Sequence, residues 1–491
     1  MTQAFLSETS ALLGSGAIKT AAHELEGFAV DWRRRYYGRP LAVILPETPN
    51  QVAAVVSLAG QHGVALVPQG GNTGLSGGAT PDGSGSQVII SLTRLKRIRN
   101  TDSENKTLTI ESGATLLNVQ HIAQDMGLLF PLSLGAEGSA TIGGNLATNA
   151  GGTGVLRYGN ARDLCLGLEV VMANGEIWNG LRGLRKDNTG YDLRDLFIGS
   201  EGTLGIITAA VLKLFPRPVG VATALVRLAS PRDALTFLQM SQSRCDAALT
   251  GFEYMSIEST QIVARYLRDS TRHCTSIIGD TEGARHALSD SVLIEISHPE
   301  SEQVAITLLE GVIRLALERG IASDAIVAQS NTQAISLWQL RENITFASAE
   351  DGPSIKHDIA LPISGIVEFI SEMDLELRAA YPGVRLINFG HFGDGNLHYN
   401  IAPPLALSHG LDRQARQQAS QRYVQQFEDE IRRRVHDRVI AMGGSISAEH
   451  GLGQLRRDEA KRYKQPLEMD LMRRIKMALD PQGIFNPGKV F

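Results

Sequence analysis

The chain has 491 residues, 43% hydrophobic and 20% charged, with a formal net charge of −5. That length accommodates two or three domains, and the balance excludes both the basic excess of a nucleic-acid binder and the low hydrophobicity of a disordered chain. No run approaches roughly 18 uninterrupted apolar residues, and MTQAFLSETSALLGSG lacks a basic n-region, so neither a membrane span nor a signal peptide is expected and the expected location is cytoplasmic.

In chain order, residues 1–36 read as an N-terminal helical segment. Residues 37–216 alternate short β-rich runs with glycine-dense loops, of which QGGNTGLSGG from Gln69 is the first. Glycine at that density lets backbone amides close around phosphate oxygens. The loop matches neither GxxxxGK[ST] nor a well-placed GxGxxG, so a purely structural turn is an alternative. Two more such loops follow: GAEGSATIGGNLATNAGGTG from Gly135, and NTGYDLRDLFIGSEGTLGIIT from Asn188. Three in one region point to a large phosphate-bearing cofactor.

The PRP of Pro216 to Pro218 marks a boundary. Beyond it, in residues 217–491, amphipathic helical segments over Glu302 to Arg319 and Asp412 to Met442 alternate with strands such as VLIEIS from Val292. In NTQAISLWQLRENITFASAE, Arg341 and Thr345 stand i, i+4 and share a helix face. In SIKHDIALP, Lys356 alternates away from Ile355, Ile359 and Leu361. Read alone, these three are a surface arginine, a helix threonine and a strand lysine paired with Asp358. The runs Arg33-Arg34-Arg35 and Arg432-Arg433-Arg434 are solvated faces. Cys165, Cys245 and Cys274 form no CxxC and read as reduced, buried thiols.

FGHFGDGNLHYN, Phe389 to Asn400, has three glycines in six residues, which argues against a helix. A two-residue turn at Asp394-Gly395 predicts a hairpin in which His391 faces His398, with Phe389 and Asn400 on the same side. Cross-strand Cβ atoms lie about 5 Å apart, within reach of one divalent ion. A chance pair among 12 histidines is the alternative. Glu449 and His450 in SISAEHGLG would point opposite ways on a regular strand, but Gly451 and Gly453 permit an irregular loop. Two imidazoles and a carboxylate suit zinc, or manganese as a harder alternative.

PQGGNTGLSGG, GSATIGGNLATNAGG and DLFIGSEGTLGIIT, in that order, resemble the FAD-binding domain of the vanillyl-alcohol oxidase, or PCMH-type, flavoprotein superfamily. The likeness continues through SAEHGLG and PQGIFNPGKVF, and within the superfamily it is nearest the D-2-hydroxyglutarate dehydrogenases and relatives acting on D-lactate and glycolate. It implies an α+β fold: a PCMH-type FAD-binding domain and a C-terminal FAD-linked oxidase domain with an antiparallel sheet covered by helices. Pro68, Gly70, Gly71, Asn72, Thr73, Gly74, Leu75, Gly138, Ser139, Gly143, Gly144, Asn149, Gly151, Glu201, Gly202, Ile206 and Asn486 would surround FAD. The first glycine loop has no histidine, which implies a non-covalent flavin.

The resemblance further implies His391, His398 and Glu449 as ligands of a divalent metal. A 2-hydroxy acid would chelate that ion while His450 acts as general base and hydride leaves C2 for flavin N5; a hydrogen-bonding partner is the alternative role for His450. Arg341, Thr345, Lys356 and Asn400 would hold a distal carboxylate, selecting D-2-hydroxyglutarate over D-lactate, with D-malate or glycolate as further candidates. An electron-transfer flavoprotein is a candidate acceptor, and a homodimer is expected. A non-redox metal-dependent lyase or hydrolase, or a catalytically silent flavin-binding electron-transfer subunit, are the readings from other classes.

Overall fold

The computed structural model describes residues 2–269, 289–408 and 410–491. Cys274 lies outside them. The chain forms two compact units, and both are discontinuous. The first comprises Met1–Gly152, Tyr158–Arg217 and Glu449–Phe491; the second comprises Thr153–Arg157 and Pro218–Ala448. The break at Arg217/Pro218 falls within the PRP. The last 43 residues, Glu449–Phe491, pack in the first unit, whereas the sequence reading places them in the second domain.

In the first unit a small sheet has the order Ile18–Lys19, Ala42–Ile44, Val88–Ser91, Leu66–Gln69, with its first pair antiparallel and the other two parallel. Parallel strands need a crossover, and the helix Pro49–His62 supplies one. Thr48 caps it by accepting from Gln51 N, Pro49 takes the first turn, and Gly63 ends it at φ 63°. Val52, Val55, Val56 and Ala59, at i, i+3, i+4 and i+7, are its buried face. A five-stranded antiparallel sheet follows the order Ile98–Asp102, Thr107–Glu111, Ile206–Lys213, Cys165–Val171, Ile177–Gly180. Leu108, Ile110, Leu168, Val170, Ala210 and Leu212 form its core.

The second unit is built on seven antiparallel strands in the order Ala322–Val327, Gly220–Leu228, Asp290–His298, Leu249–Met255, Arg385–His391, Asn396–Ala402, Asp358–Ala360. Its period-2 alternation sorts side chains onto two faces. One face, with Ala224, Val226, Phe252, Tyr254, Ile294, Ile296 and Tyr399, packs under the helices Pro231–Cys245, Glu302–Glu318, Ile366–Ala380 and Arg413–Ala441. Leu225, Leu293, Met255, Ile387 and Phe389 on the other face pack against Leu337, Leu340 and Ile344 of the helix Asn331–Asp351 and Ile262, Val263 and Leu267 of Ile257–Asp269. Among the described residues no helix is long and apolar enough to cross a membrane.

Candidate active site

The hairpin forms, in a register two residues from the expected one. Phe389 faces His398 and Ile387 faces Asn400. The connection is longer than Asp394-Gly395 alone: Asp394 N donates to His391 O at 3.2 Å, and Asp394 Oδ1 accepts from Asn396 N at 3.1 Å, while Gly395 sits at φ 92°. The Asp394 side chain thus captures a backbone donor that a two-residue turn would pair across the ladder. A shift of two preserves the face, so His391 and His398 still lie on the same side as Phe389 and Asn400. Their ring centroids are 5.7 Å apart at 76°, and a nitrogen of one ring lies within 4.8 Å of a nitrogen of the other. Two imidazoles at that separation fit one zinc ion.

Glu253, absent from the sequence reading, sits opposite His391 on the neighbouring strand. It is 1% exposed. His391 Nδ1 donates to Glu253 Oε1 at 2.6 Å, and Arg341 Nε donates to Glu253 Oε2 at 2.8 Å. Burial alone would push the Glu253 carboxyl up; the charges of His391 and Arg341 outweigh it and hold the group down at about 2. Arg341 is only 7% exposed, and its guanidinium lies 4.7 Å from the Phe389 ring centroid. The surface-arginine alternative therefore fails. Thr345 is half-buried one turn along the same helix.

Asn400 is buried in its strand, and Lys356 is half-buried between Ile355, which bridges Ile401, and the strand Asp358–Ala360. His398 Nδ1 lies 3.7 Å from Asp358 Oδ1, an oxygen that also accepts from Asn396 Nδ2 at 3.0 Å. Burial raises the Asp394 carboxyl to about 6, against the pull of His391. The signal for Glu253 was present in TGFEYM: one carboxylate in a strand whose every residue is buried. Unpaired, such a group is prohibitively expensive, so it announces a partner without naming it.

In the first unit the glycine loops show two kinds of glycine. A Cβ on Gly70 would collide with Thr141 Oγ1 and one on Gly71 with Ser139 O, so these two let the first loop pack on the second, while one on Gly143 would lie 2.7 Å from Ser112 Cβ, beside the end of the strand Thr107–Glu111. Gly74 and Gly138 differ: a Cβ there would meet no atom within 4 Å, and neither has a left-handed φ. Nothing among the described residues demands glycine at either position, and a closely approaching ligand would. Thr141 caps the helix Ile142–Ala147, whose first turn contains Gly143 and Gly144. Asn72 and Asn149 are left-handed at φ 54° and 51°, and their side chains bond Val30 O and Arg162 N.

Pro68 ends in the strand Leu66–Gln69 beneath Gly202, Ile206 opens a buried strand, and Thr73, Leu75 and Ser139 are accessible. Asn486 Nδ2 donates to Gly78 O and Glu201 O, while its buried Oδ1 has no hydrogen-bond partner among the described residues. That orphaned acceptor and the open glycines fit a cofactor carrying N–H and phosphate groups.

Glu201 is committed elsewhere. Its carboxylate accepts from Leu452 N at 2.7 Å and Gly453 N at 2.8 Å, and burial raises its pKa against those bonds. It therefore anchors the loop that carries Glu449 and His450. That loop is irregular, with Gly451 at φ 71° and Gly453 at φ 50°. Both Glu449 and His450 are half-buried, and Gly151 leaves room for the Glu449 carboxylate, since a Cβ there would be 2.6 Å from Oε1.

The sequence model described as "FAD binding domain" matches residues 40–180, and that described as "FAD linked oxidases, C-terminal domain" matches residues 217–490. A D-2-hydroxyglutarate dehydrogenase from Xanthomonas citri pv. viticola is 36% identical over 96% of this chain and 94% of its own. One from Stutzerimonas stutzeri is 33% identical over 99% of both, and the mitochondrial enzyme of Rattus norvegicus is 34% identical over 96% of this chain and 82% of its own. Among solved structures, p-cresol methylhydroxylase superposes with a TM-score of 0.76 at 17% identity, covering 99% of this chain and 96% of that one. Alkyldihydroxyacetonephosphate synthase gives 0.74 at 18%, covering 99% and 85%, and both share the fold. The chain belongs to the D-2-hydroxyglutarate dehydrogenase family of FAD-linked oxidases.

Proposed function

We propose that the protein oxidises D-2-hydroxyglutarate to 2-oxoglutarate. Bound FAD, held non-covalently by the glycine loops and Asn486, supplies the hydride acceptor. The observation that carries the choice of substrate is Arg341: a buried arginine on the same sheet face as His391 and His398, set 2.8 Å from Glu253. A buried cation beside a polar cluster suits a substrate with a second carboxylate. In this reading Arg341, Thr345, Lys356 and Asn400 bind that carboxylate and orient the carbon chain. His450 takes the proton from the C2 hydroxyl.

His391, His398 and Glu449 are the proposed ligands of a divalent metal, zinc with manganese as the harder alternative, whose charge lowers the hydroxyl pKa. A homodimer, on the family resemblance, and a cytoplasmic location and an electron-transfer flavoprotein as acceptor, on the sequence reading above, complete the proposal.

Anaerobic titration with D-2-hydroxyglutarate, followed at the flavin band near about 450 nm, tests it. Bleaching that EDTA abolishes and zinc or manganese restores is the expected result. An intact flavin band that stays unbleached in metal-replete protein overturns the substrate. Acid precipitation should leave a colourless pellet; a yellow one overturns non-covalent binding.

A further inference from the structure

Glu253 bonds to two residues with different proposed tasks. Each carboxylate oxygen is used once: Oε1 accepts from His391 Nδ1 at 2.6 Å, and Oε2 from Arg341 Nε at 2.8 Å. The three residues come from separate elements, the strands Leu249–Met255 and Arg385–His391 and the helix Asn331–Asp351. Glu253 and His391 are register partners, so the first bond is set by the ladder itself. Phe389, two residues before His391, carries the guanidinium on its ring face at 4.7 Å. The Arg341 plane is therefore held on one edge by the carboxylate and beneath by the aromatic ring.

We propose that Glu253 is a positioning residue that couples metal binding to recognition of the substrate's distal carboxylate. The inference rests on the site reading above. The bond at Nδ1 fixes the His391 tautomer and ring plane, directing Nε2 as the ligand atom and raising its basicity. The bond at Nε fixes the guanidinium rotation, so Nη1 and Nη2 present their fork to a carboxylate. Glu253 also compensates the buried Arg341 charge when no substrate is present, where an uncompensated cation would be costly. Movement of either partner is transmitted to the other through one rigid, fully buried carboxylate.

Glutamine tests this because it keeps the shape but has one acceptor oxygen for two donors. In FAD-loaded Glu253→Gln, zinc affinity, measured by competition with a chromophoric chelator and without substrate, should fall about tenfold or more. KM for D-2-hydroxyglutarate should rise, while KM for D-lactate, which has no distal carboxylate, changes much less. The second arm is Arg341→Lys, a charge-preserving change at a buried residue that is not itself a proposed ligand of the metal. Coupling through Glu253 predicts about a fivefold loss of zinc affinity there too. Glu253→Asp should recover part of the zinc affinity that glutamine loses.

Wild-type protein that takes up zinc and is reduced by D-2-hydroxyglutarate, with Arg341→Lys and a folded Glu253→Gln matching its zinc affinity within twofold, overturns the coupling alone. If Glu253→Gln does not fold, unchanged zinc affinity in Arg341→Lys is by itself sufficient to overturn it. Wild-type protein that neither takes up zinc nor is reduced overturns the site reading and the coupling together.

Discussion

Phe389 stands directly across the hairpin from His398, with their ring centroids 4.9 Å apart. This register depends on the turn, where Gly395 adopts φ 92° and a Cβ would collide with Leu361 O. Gly395→Ala should therefore destabilise the protein by about 1–3 kcal/mol through strain and the forced shift of Leu361. The thermal midpoint should fall, and zinc affinity should fall with it as His391 moves relative to His398. An unchanged midpoint would show that the turn relaxes without consequence for the register.

Glu201→Gln should slow flavin reduction without dissociating FAD. Glutamine keeps one acceptor oxygen for the Leu452 and Gly453 amides, and the buried amide left over costs about 1–3 kcal/mol. The loop carrying His450 then loses its anchor, and single-turnover reduction should drop about tenfold or more. Equal rates in variant and wild type would remove Glu201 from the positioning of that loop.

Arg341 should govern substrate choice. Wild-type protein should favour D-2-hydroxyglutarate over D-lactate by at least about 100-fold in kcat/KM, because a site built for a second carboxylate is left mispaired without one. Arg341→Ala should erase most of that ratio, chiefly by losing activity on D-2-hydroxyglutarate. Comparable kcat/KM values for both substrates in the wild type would refute the carboxylate assignment.

Asp374 predicts a pH dependence of stability. It is half-buried on the helix Ile366–Ala380, and loss of solvent there raises its carboxyl from 3.8 to about 6 despite the bond donated by Tyr399 Oη at 2.6 Å. A raised carboxyl pKa means that between those values the folded state holds more protons than the unfolded one. Stability from this group is therefore present below about pH 4 and lost as pH rises through about 6, by up to roughly 3 kcal/mol. Asp374→Asn keeps an acceptor for Tyr399 and removes the titration. Its thermal midpoint relative to wild type should improve from about pH 4 to about pH 7; a constant difference would contradict the shift.

Local chemistry determined much of this molecule by sequence alone. The run from Gly70 to Gly78 forms a loop as its glycines predict, Pro216 to Pro218 marks the break between units, and the hairpin, though not its register, follows from glycine content and turn residues that act within a dozen residues. His391 and His398 share a face for the same local reason: strand alternation has period 2, which survives a register error of two. What only the tertiary structure decided is non-local. Glu253 meets His391 across 138 residues and Arg341 across 88, contacts set by the order of seven strands and by which helix covers which face. Likewise, the carboxylate of Glu201 reaches amides 251 and 252 residues away, in a terminal segment that the pattern alone assigned to the other domain. A buried carboxylate in an apolar strand shows in the sequence that some partner must exist, because burial without one is too costly. Packing decides which partner it is.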